Sequence, residues 1–249
     1  MTTTYLIAAL VTLAFTIVLT VAGLGAAFIL VPVYLALGVE MHSAQATALL
    51  LNAIAMAFAC ARYIPAKLVD FRIGIPIVIV ATILSPLGAY VSSYVPVTTL
   101  KWMFIGFLIF AGAMMLFYRP KPHEVAGRGE LLGVGVGVGG AAGFLGGMLG
   151  VGGGNFVVPA LVWLGLDAKR AAGTTAFVVV FASFTGFLGQ ASVATIDLTL
   201  LAWTAAASII GAVIGSWLMH RKLQAAQVKT SIGVLLFFIA ATMAYKLIA

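Results

Sequence analysis

Apolar residues run along this chain in long continuous blocks, separated by short polar punctuation rather than alternating with it. The blocks extend over roughly 4–22, 26–38, 43–61, 73–92 and 99–118, then 131–149, 153–166, 171–190, 199–219 and 229–247. Blocks approaching about 20 residues are what a helix needs to cross about 30 Å of hydrocarbon, so the pattern predicts an all-α polytopic membrane protein. The second block of each set of five is shorter, about 13 residues, which at 1.5 Å per residue covers only about 20 Å. It is either a half-helix or a tilted, broken one. Ten crossings is the expected count, and fewer full spans with re-entrant pairs is the alternative.

The two sets are copies. A constant offset of 127 residues places Gly23 on Gly150, Gly25 on Gly152, Pro32 on Pro159, Gly38 on Gly165, Thr47 on Thr174, Asp70 on Asp197, Gly88 on Gly215 and Gly106 on Gly233, without a gap. Glu40 falls on Asp167. Glycine, proline and acidic positions match poorly by chance in a background of leucine, alanine and valine, so the matches indicate a duplication. The first repeat covers residues 1–122, a cytoplasmic linker 123–130, and the second repeat 131–249.

Basic residues orient the copies. With the loop after the third segment inside, Arg62, Lys67, Arg72, Arg119, Lys121, Arg128, Lys169, Arg170, Arg221, Lys222 and Lys229 are cytoplasmic, and only Lys101 and Lys246 are outside. This bias of eleven against two arises only if the second repeat is inverted relative to the first. Both termini are then expected on the periplasmic or extracellular face of the inner (cytoplasmic) membrane. The N-terminus lacks the basic region of a signal peptide and reads as mature structure.

Composition narrows the class further. The chain has 249 residues, 63% of them hydrophobic and 8% charged, with a mean hydropathy of +1.21, outside the range of soluble domains. Its formal charge of +7 comes from short loops and forms no stripe, so nucleic acid is not an expected partner and the lipid bilayer is. The single cysteine, Cys60, lies in an apolar block and excludes a disulfide framework. His42, His123 and His220 have no metal-ligand spacing, and no nucleophile elbow or zincin motif occurs, so neither a metal, a cofactor nor an enzymatic activity is expected.

The candidate chemistry lies in Leu149-Gly-Val-Gly-Gly-Gly-Asn-Phe-Val-Val-Pro159 and its copy, Ala22-Gly-Leu-Gly-Ala-Ala-Phe-Ile-Leu-Val-Pro32. Consecutive glycines break a membrane helix and free backbone N–H groups, which hydrocarbon tolerates only where they line a cavity or are buried in protein. The short segment that follows presents a helix N-terminus, with partial positive charge and exposed amides suited to an anion. Two such ends converge near the midplane of inverted-repeat transporters. The expected substrate-binding set is Gly23, Gly25, Thr47, Asn52, Gly152, Gly153, Gly154, Asn155, Thr174 and Thr175, with Pro32 and Pro159 as structural helix breaks. Gln45 and Asn52 share one helix face, as do Thr174 and Thr185, and interhelical bonding is the alternative role for these side chains.

Asp70 and Asp197 precede the fourth segments and are expected to cap them; gating is the alternative. No carboxylate lies deep in an apolar block, so no proton relay can be named. The run from Leu132 to Gly140 contains Gly135, Gly137 and Gly140 in dinucleotide-like spacing, but lacks a preceding strand and a suitably placed acid. Its glycines read as helix packing, through Gly133 and Gly137 or through Gly139, Gly143 and Gly147.

These residues resemble the TauE/SafE family of sulfite and sulfonate exporters, most specifically in Gly150-Val-Gly-Gly-Gly-Asn155, Pro159 and Ala172-Gly-Thr-Thr175. The resemblance spans nearly the whole chain and implies movement of small organic or sulfur-containing anions across the cytoplasmic membrane. The first repeat departs from it, with Ala26 and Ala27 where a fuller glycine run is common, which shifts the expected weight of binding to Gly152, Gly153, Gly154 and Asn155. The expected function is a secondary transporter of a small anion working by alternating access. A passive anion channel and a non-transporting subunit of a membrane complex are the alternatives. A coupling ion and a homo-oligomer remain open.

Overall fold

The computed structural model describes residues 2–21, 23–117, 128–164, 166–192 and 194–221, together with 234, 237–238, 240–245 and 247. Among these residues all regular structure is helical. The elements are α1 (Thr2–Val21), α2 (Ala27–Ala36), α3 (Met41–Tyr63), α4 (Phe71–Ser92), α5 (Val97–Phe117), α6 (Arg128–Leu149), α7 (Gly154–Trp163), α8 (Ala168–Ala191) and α9 (Leu198–Arg221). About half of the tenth expected segment, 229–247, lies outside the described residues, as do Arg119, Lys121, His123, Lys222, Lys229, Lys246 and most of the linker.

Among the described residues four helices are long and apolar enough to cross a bilayer: α3, α4, α8 over Lys169–Ala191 and α9 over Leu198–Met219. The second segment of each set is short, as its apolar length implies. Both α2 and α7 have ten residues, about 15 Å of rise, half of what a span requires. Ile75, Ile79, Ile83 and Leu87 form an exposed stripe at four-residue spacing on α4, and Trp203, Ile210 and Trp217 are exposed on α9. Apolar faces of this extent belong against lipid.

Aspartates fix where three helices begin. Oδ1 of Asp70 accepts from the N–H groups of Arg72 and Ile73, that of Asp167 from Lys169 and Arg170, and that of Asp197 from Thr199 and Leu200. Each satisfies donors that the first helical turn leaves free. The capping role expected for Asp70 and Asp197 is therefore present at both.

The bundle centres on α3 and α8, which run antiparallel. Gln45 near the start of α3 meets Gln190 near the end of α8, Asn52 meets Ser183, and the Asp70 that follows α3 meets Thr174 near the start of α8. Against this pair α4 runs parallel to α8 and α9 parallel to α3, as the Ser85–Ala182 and Ser208–Leu51 hydrogen bonds and the approach of Gly189 to Pro86 place them. The outer helices complete it: α6 lies parallel to α4, and α1 parallel to α9.

The α4–α6 contact depends on missing side chains. A Cβ on Gly139 would lie 2.8 Å from the Ile77 carbonyl, one on Gly143 2.6 Å from the Ala81 Cα, and one on Gly147 would overlap the Ser85 backbone. Gly135 meets Pro76 in the same row, whereas Gly133 and Gly137 face open space. Of the two glycine faces read from the sequence, the one through Gly139, Gly143 and Gly147 is used. On the other side of the bundle, Gly211 and Gly215 of α9 admit Thr16 and Thr20 of α1 in the same manner.

These directions gather the charges of one sign. Arg62, Lys67, Arg72, Lys169, Arg170 and Arg221 all lie at the end of the bundle where α3 and α9 finish and α4 and α8 begin, with Lys101 at the opposite end.

Candidate functional site

The chain leaves α1 and α6 through the same device. After α1, Gly23 takes φ 69° and the Leu24 N–H reaches back to the Leu19 carbonyl; after α6, Gly150 takes φ 72° and the Val151 N–H reaches the Gly146 carbonyl. This is the glycine-terminated Schellman arrangement, which closes the helix and satisfies its last carbonyls. Two residues on, Gly25 and Gly152 are again left-handed, at φ 74° and 72°. The copies then diverge: Gly153 stays left-handed at φ 74°, whereas Ala26 returns to right-handed geometry at φ −93°. Side-chain-bearing residues avoid the left-handed region, which is why the second break holds three such glycines and the first only two.

Each break opens a short helix with free donors. The first α2 amide to find a backbone acceptor is that of Ile29, on Ala26, and the first of α7 is that of Phe156, on Gly153. The amides of Ala27 and Phe28, and of Gly154 and Asn155, therefore stand at positively polarised helix ends. Pro32 lies buried inside α2 and Pro159 falls inside α7, so the glycines alone make the breaks.

The two breaks touch. A Cβ on Gly154 would lie 3.1 Å from Leu24 Cα and overlap the Leu24 carbonyl oxygen, so the first turn of α7 rests on the first break. Each break also leans on the central helix of the other set, at duplicate positions: Gly23 against Ala172 and Gly150 against Gln45.

Between them stands Asn52, fully buried at mid-length in α3. A Cβ on Gly25 would overlap its Oδ1, and a Cβ on Gly152 would lie 2.5 Å from its Nδ2. The carboxamide is thus wedged between the two duplicate glycines. Its Nδ2 donates to Ser183 Oγ at 3.0 Å, and its Oδ1 has no partner. Asn155 Oδ1 and Thr175 Oγ1 are likewise buried without partners. Buried polar atoms are paired in the great majority of cases; the hydroxyls of Thr16 and Thr20 on α1 and Thr82 on α4 are also unpaired, whereas the orphans of Asn52 and Asn155 lie at the two breaks.

The other expected residues separate. Thr47 lines a cleft of about 290 Å³, with Tyr5, Glu40, Ser43, Thr195 and Asp197 on its wall. Thr174 is fully buried and accepts from the Asp70 N–H at 2.9 Å. Thr185 bonds back to the Phe181 carbonyl of its own helix and contributes nothing to the centre.

A buried polar chain adjoins the site: Gln45 makes the interhelical bonds offered as its alternative role, and its partners Gln190 and Ser92 were not among the expected residues. Gln45 Nε2 donates to the Met148 carbonyl, and Gln190 Nε2 lies 3.0 Å from Gln45 Oε1 and 2.9 Å from Ser92 Oγ. Met148 and Gly147 immediately precede the second break, so these amides hold its approach. The sequence carries a signal for them: Ser183 and Gln190 have the seven-residue spacing of Asn52 and Gln45, and antiparallel packing pairs the two sets.

Among the described residues no lysine, arginine, aspartate or glutamate is buried; the interior donors are amides and hydroxyls. At the cleft mouth, the Leu200 N–H, the Tyr5 hydroxyl and the Thr199 N–H hold the Asp197 carboxyl below its ordinary pKa.

An all-helical bundle with apolar spans, lipid-facing stripes and glycine breaks buried at its centre is a multi-pass membrane protein of the transporter class. Residues 7–243 match the model of the family described as sulfite exporter TauE/SafE, and the chain belongs to that family. It is similar to a curated relative from Bacillus subtilis (strain 168), "Probable membrane transporter protein YunE", at 27% identity over 206 residues, covering 74% of each chain. No solved structure matches it.

Proposed function

We propose that the protein is a secondary transporter that binds a small anion between the two glycine breaks and exposes it alternately to the two sides of the cytoplasmic membrane. The observation that carries this reading is Asn52, whose buried carboxamide sits between Gly25 and Gly152 with one polar atom unpaired. An anion needs donors, and the carboxamide can supply one. The Ser183 hydroxyl donates or accepts equally well, so exchanging Oδ1 and Nδ2 keeps that bond and turns an N–H toward Gly25. The amides of Gly154 and Asn155 supply others, and the α7 dipole offsets part of the cost of stripping the anion of water.

Alternation rests on an inverted duplication. The 127-residue offset pairs left-handed glycines with left-handed glycines, and the contacts are exchanged in step: α1 on α9 matches α6 on α4, and Gly23 on Ala172 matches Gly150 on Gln45. The duplicate helices α3 and α8 run antiparallel, which is what inversion requires. The basic end of the bundle is then cytoplasmic and the N-terminus periplasmic. The TauE/SafE membership and the relative's description as a membrane transporter support the class, and a sulfur-containing or organic anion is the substrate we infer.

The test is a thermal-unfolding screen of purified protein against sulfite, thiosulfate, alkyl sulfonates and carboxylates. A ligand that binds only the native state at a hundredfold excess over its Kd adds about 2.7 kcal/mol. One or more anions should stabilise the parent and leave Asn52→Leu unmoved. Equal stabilisation of both proteins removes the site, and stabilisation by none of the anions removes the reading. Flux against a gradient in proteoliposomes then separates coupled transport from passive conduction.

A further inference from the structure

The two ends of the bundle are built from duplicate positions, yet they are arranged differently. At the basic end, the Asp70 N–H donates to Thr174 Oγ1 at 2.9 Å, and Arg170 Nη2 donates to Asp70 Oδ2 at 2.8 Å. The loop between α3 and α4 is thereby tied to the first turns of α8. The absence of a side chain at Gly173 lets the Leu68 backbone close in, since a Cβ there would lie 2.6 Å from the Leu68 carbonyl oxygen.

At the opposite end the 127-residue offset puts Asp197 at the place of Asp70, Thr47 at that of Thr174, Ser43 at that of Arg170 and Ala46 at that of Gly173. Serine cannot form the ion pair. Asp197 turns instead to the Tyr5 hydroxyl at 2.9 Å, and Ser43 bonds Glu40 and Thr195 at 3.0 and 3.2 Å. Ala46 carries the Cβ that Gly173 lacks. A cleft of about 290 Å³ indents this end as far as Thr47, whose side chain is itself buried.

We propose that Asp70 and Arg170 form a latch that closes the basic end while the Thr47 cleft stands open, and that the opposite end, lacking a charged counterpart, closes only through hydroxyl and backbone hydrogen bonds. The proposal rests on the alternating-access reading above and gives it a built-in bias toward the state with the cleft open. Arg170 is half exposed in the pair, and an ion pair of that exposure shifts a two-state balance about two- to fivefold.

Single cysteines at Thr47 and Thr174, in full-length detergent-purified protein carrying Cys60→Ser, test the latch by their rates of labelling with a bulky charged maleimide. Thr47→Cys, which lines the cleft, should label faster than Thr174→Cys. Adding Arg170→Gln should raise the Thr174→Cys rate about two- to fivefold and lower the Thr47→Cys rate in step, with Arg170→Lys leaving both near the parent values. Raising salt from about 0.05 to 1 M should act as Arg170→Gln does, with the Asp70–Arg170 pair itself unsubstituted.

Equal parent rates, or rates insensitive to both Arg170→Gln and salt, overturn the proposal. A gain at Thr174→Cys without a loss at Thr47→Cys also overturns it, because local loosening does not couple the ends. None of the screened substrate anions enters this assay, so its failure leaves ligand stabilisation standing, and a failure of ligand stabilisation is read separately from the labelling rates.

Discussion

Replacing Gly25 by alanine isolates the contact on which the central site depends. The residue holds φ 74°, a conformation that costs a side-chain-bearing residue about 1–2 kcal/mol. The new Cβ also falls on Asn52 Oδ1, so the carboxamide must leave its place and its bond to Ser183. A buried hydrogen bond broken on one side costs a further 1–3 kcal/mol or so. The expected loss for Gly25→Ala is therefore about 2–5 kcal/mol. Gly38 supplies the control: its φ is 87° and its Cβ would meet nothing within 4 Å, so Gly38→Ala should cost only the backbone part. The decisive comparison places Gly25→Ala in an Asn52→Ala background, where the obstacle is gone. There its cost should fall to that of Gly38→Ala, giving a coupling of about 1–3 kcal/mol between positions 25 and 52. Unfolding titrations in mixed detergent micelles provide the free energies. If Gly25→Ala costs no more than Gly38→Ala, or costs the same with and without Asn52, the wedge described here is wrong.

Two further outcomes follow from the packing and the caps. Gly143→Leu should unfold the α4–α6 contact and yield little monodisperse protein, while Gly137→Leu, six residues away on the same helix and facing open space, should purify and melt as the parent does; comparable behaviour of the two would contradict the assigned glycine face. Because the Asp197 carboxyl is held below its ordinary pKa, first by the Leu200 N–H and then by the Tyr5 hydroxyl, its stabilisation is complete above the unfolded value of about 3.9 and is lost as the pH falls through the lower folded one. Asp197→Asn keeps a capping side chain and removes the charge, so its deficit in melting temperature should be constant from about pH 8 to pH 5 and narrow below about pH 4; a deficit that persists unchanged in acid would refute the assignment.

The parts of this fold that are legible in the sequence are those where one residue type has no substitute. Gly23, Gly25, Gly150 and Gly152 are readable as helix breaks because only glycine sits comfortably at positive φ, and Asp70 and Asp197 as caps because a short carboxylate satisfies first-turn donors. The partner faces are less legible. In a helix apolar on every side, hydrophobicity does not point inward, so the sequence offers two glycine rows on α6 and only α4 selects one. Ser183 and Gln190 pass unremarked for a related reason: serine and glutamine acquire meaning only when antiparallel packing sets them against Asn52 and Gln45. Thr185 shows the reverse error, a polar residue on a promising face whose hydroxyl returns to its own backbone.

The exchanged pairing of outer helices bears on how the protein is made. α1 lies along α9, with Thr16 and Thr20 resting on Gly211 and Gly215, yet 176 residues separate the last residue of α1 from the first of α9. At synthesis rates of about 5–20 residues per second, α1 spends on the order of 10–35 s in the bilayer before its neighbour emerges. During that interval its threonine-bearing face has only lipid or the insertion machinery for company. The earliest made of the described helices is among the last to find its seat, so biogenesis has to keep it waiting, and a ribosome stalled before α9 leaves behind a chain that cannot finish its own interior.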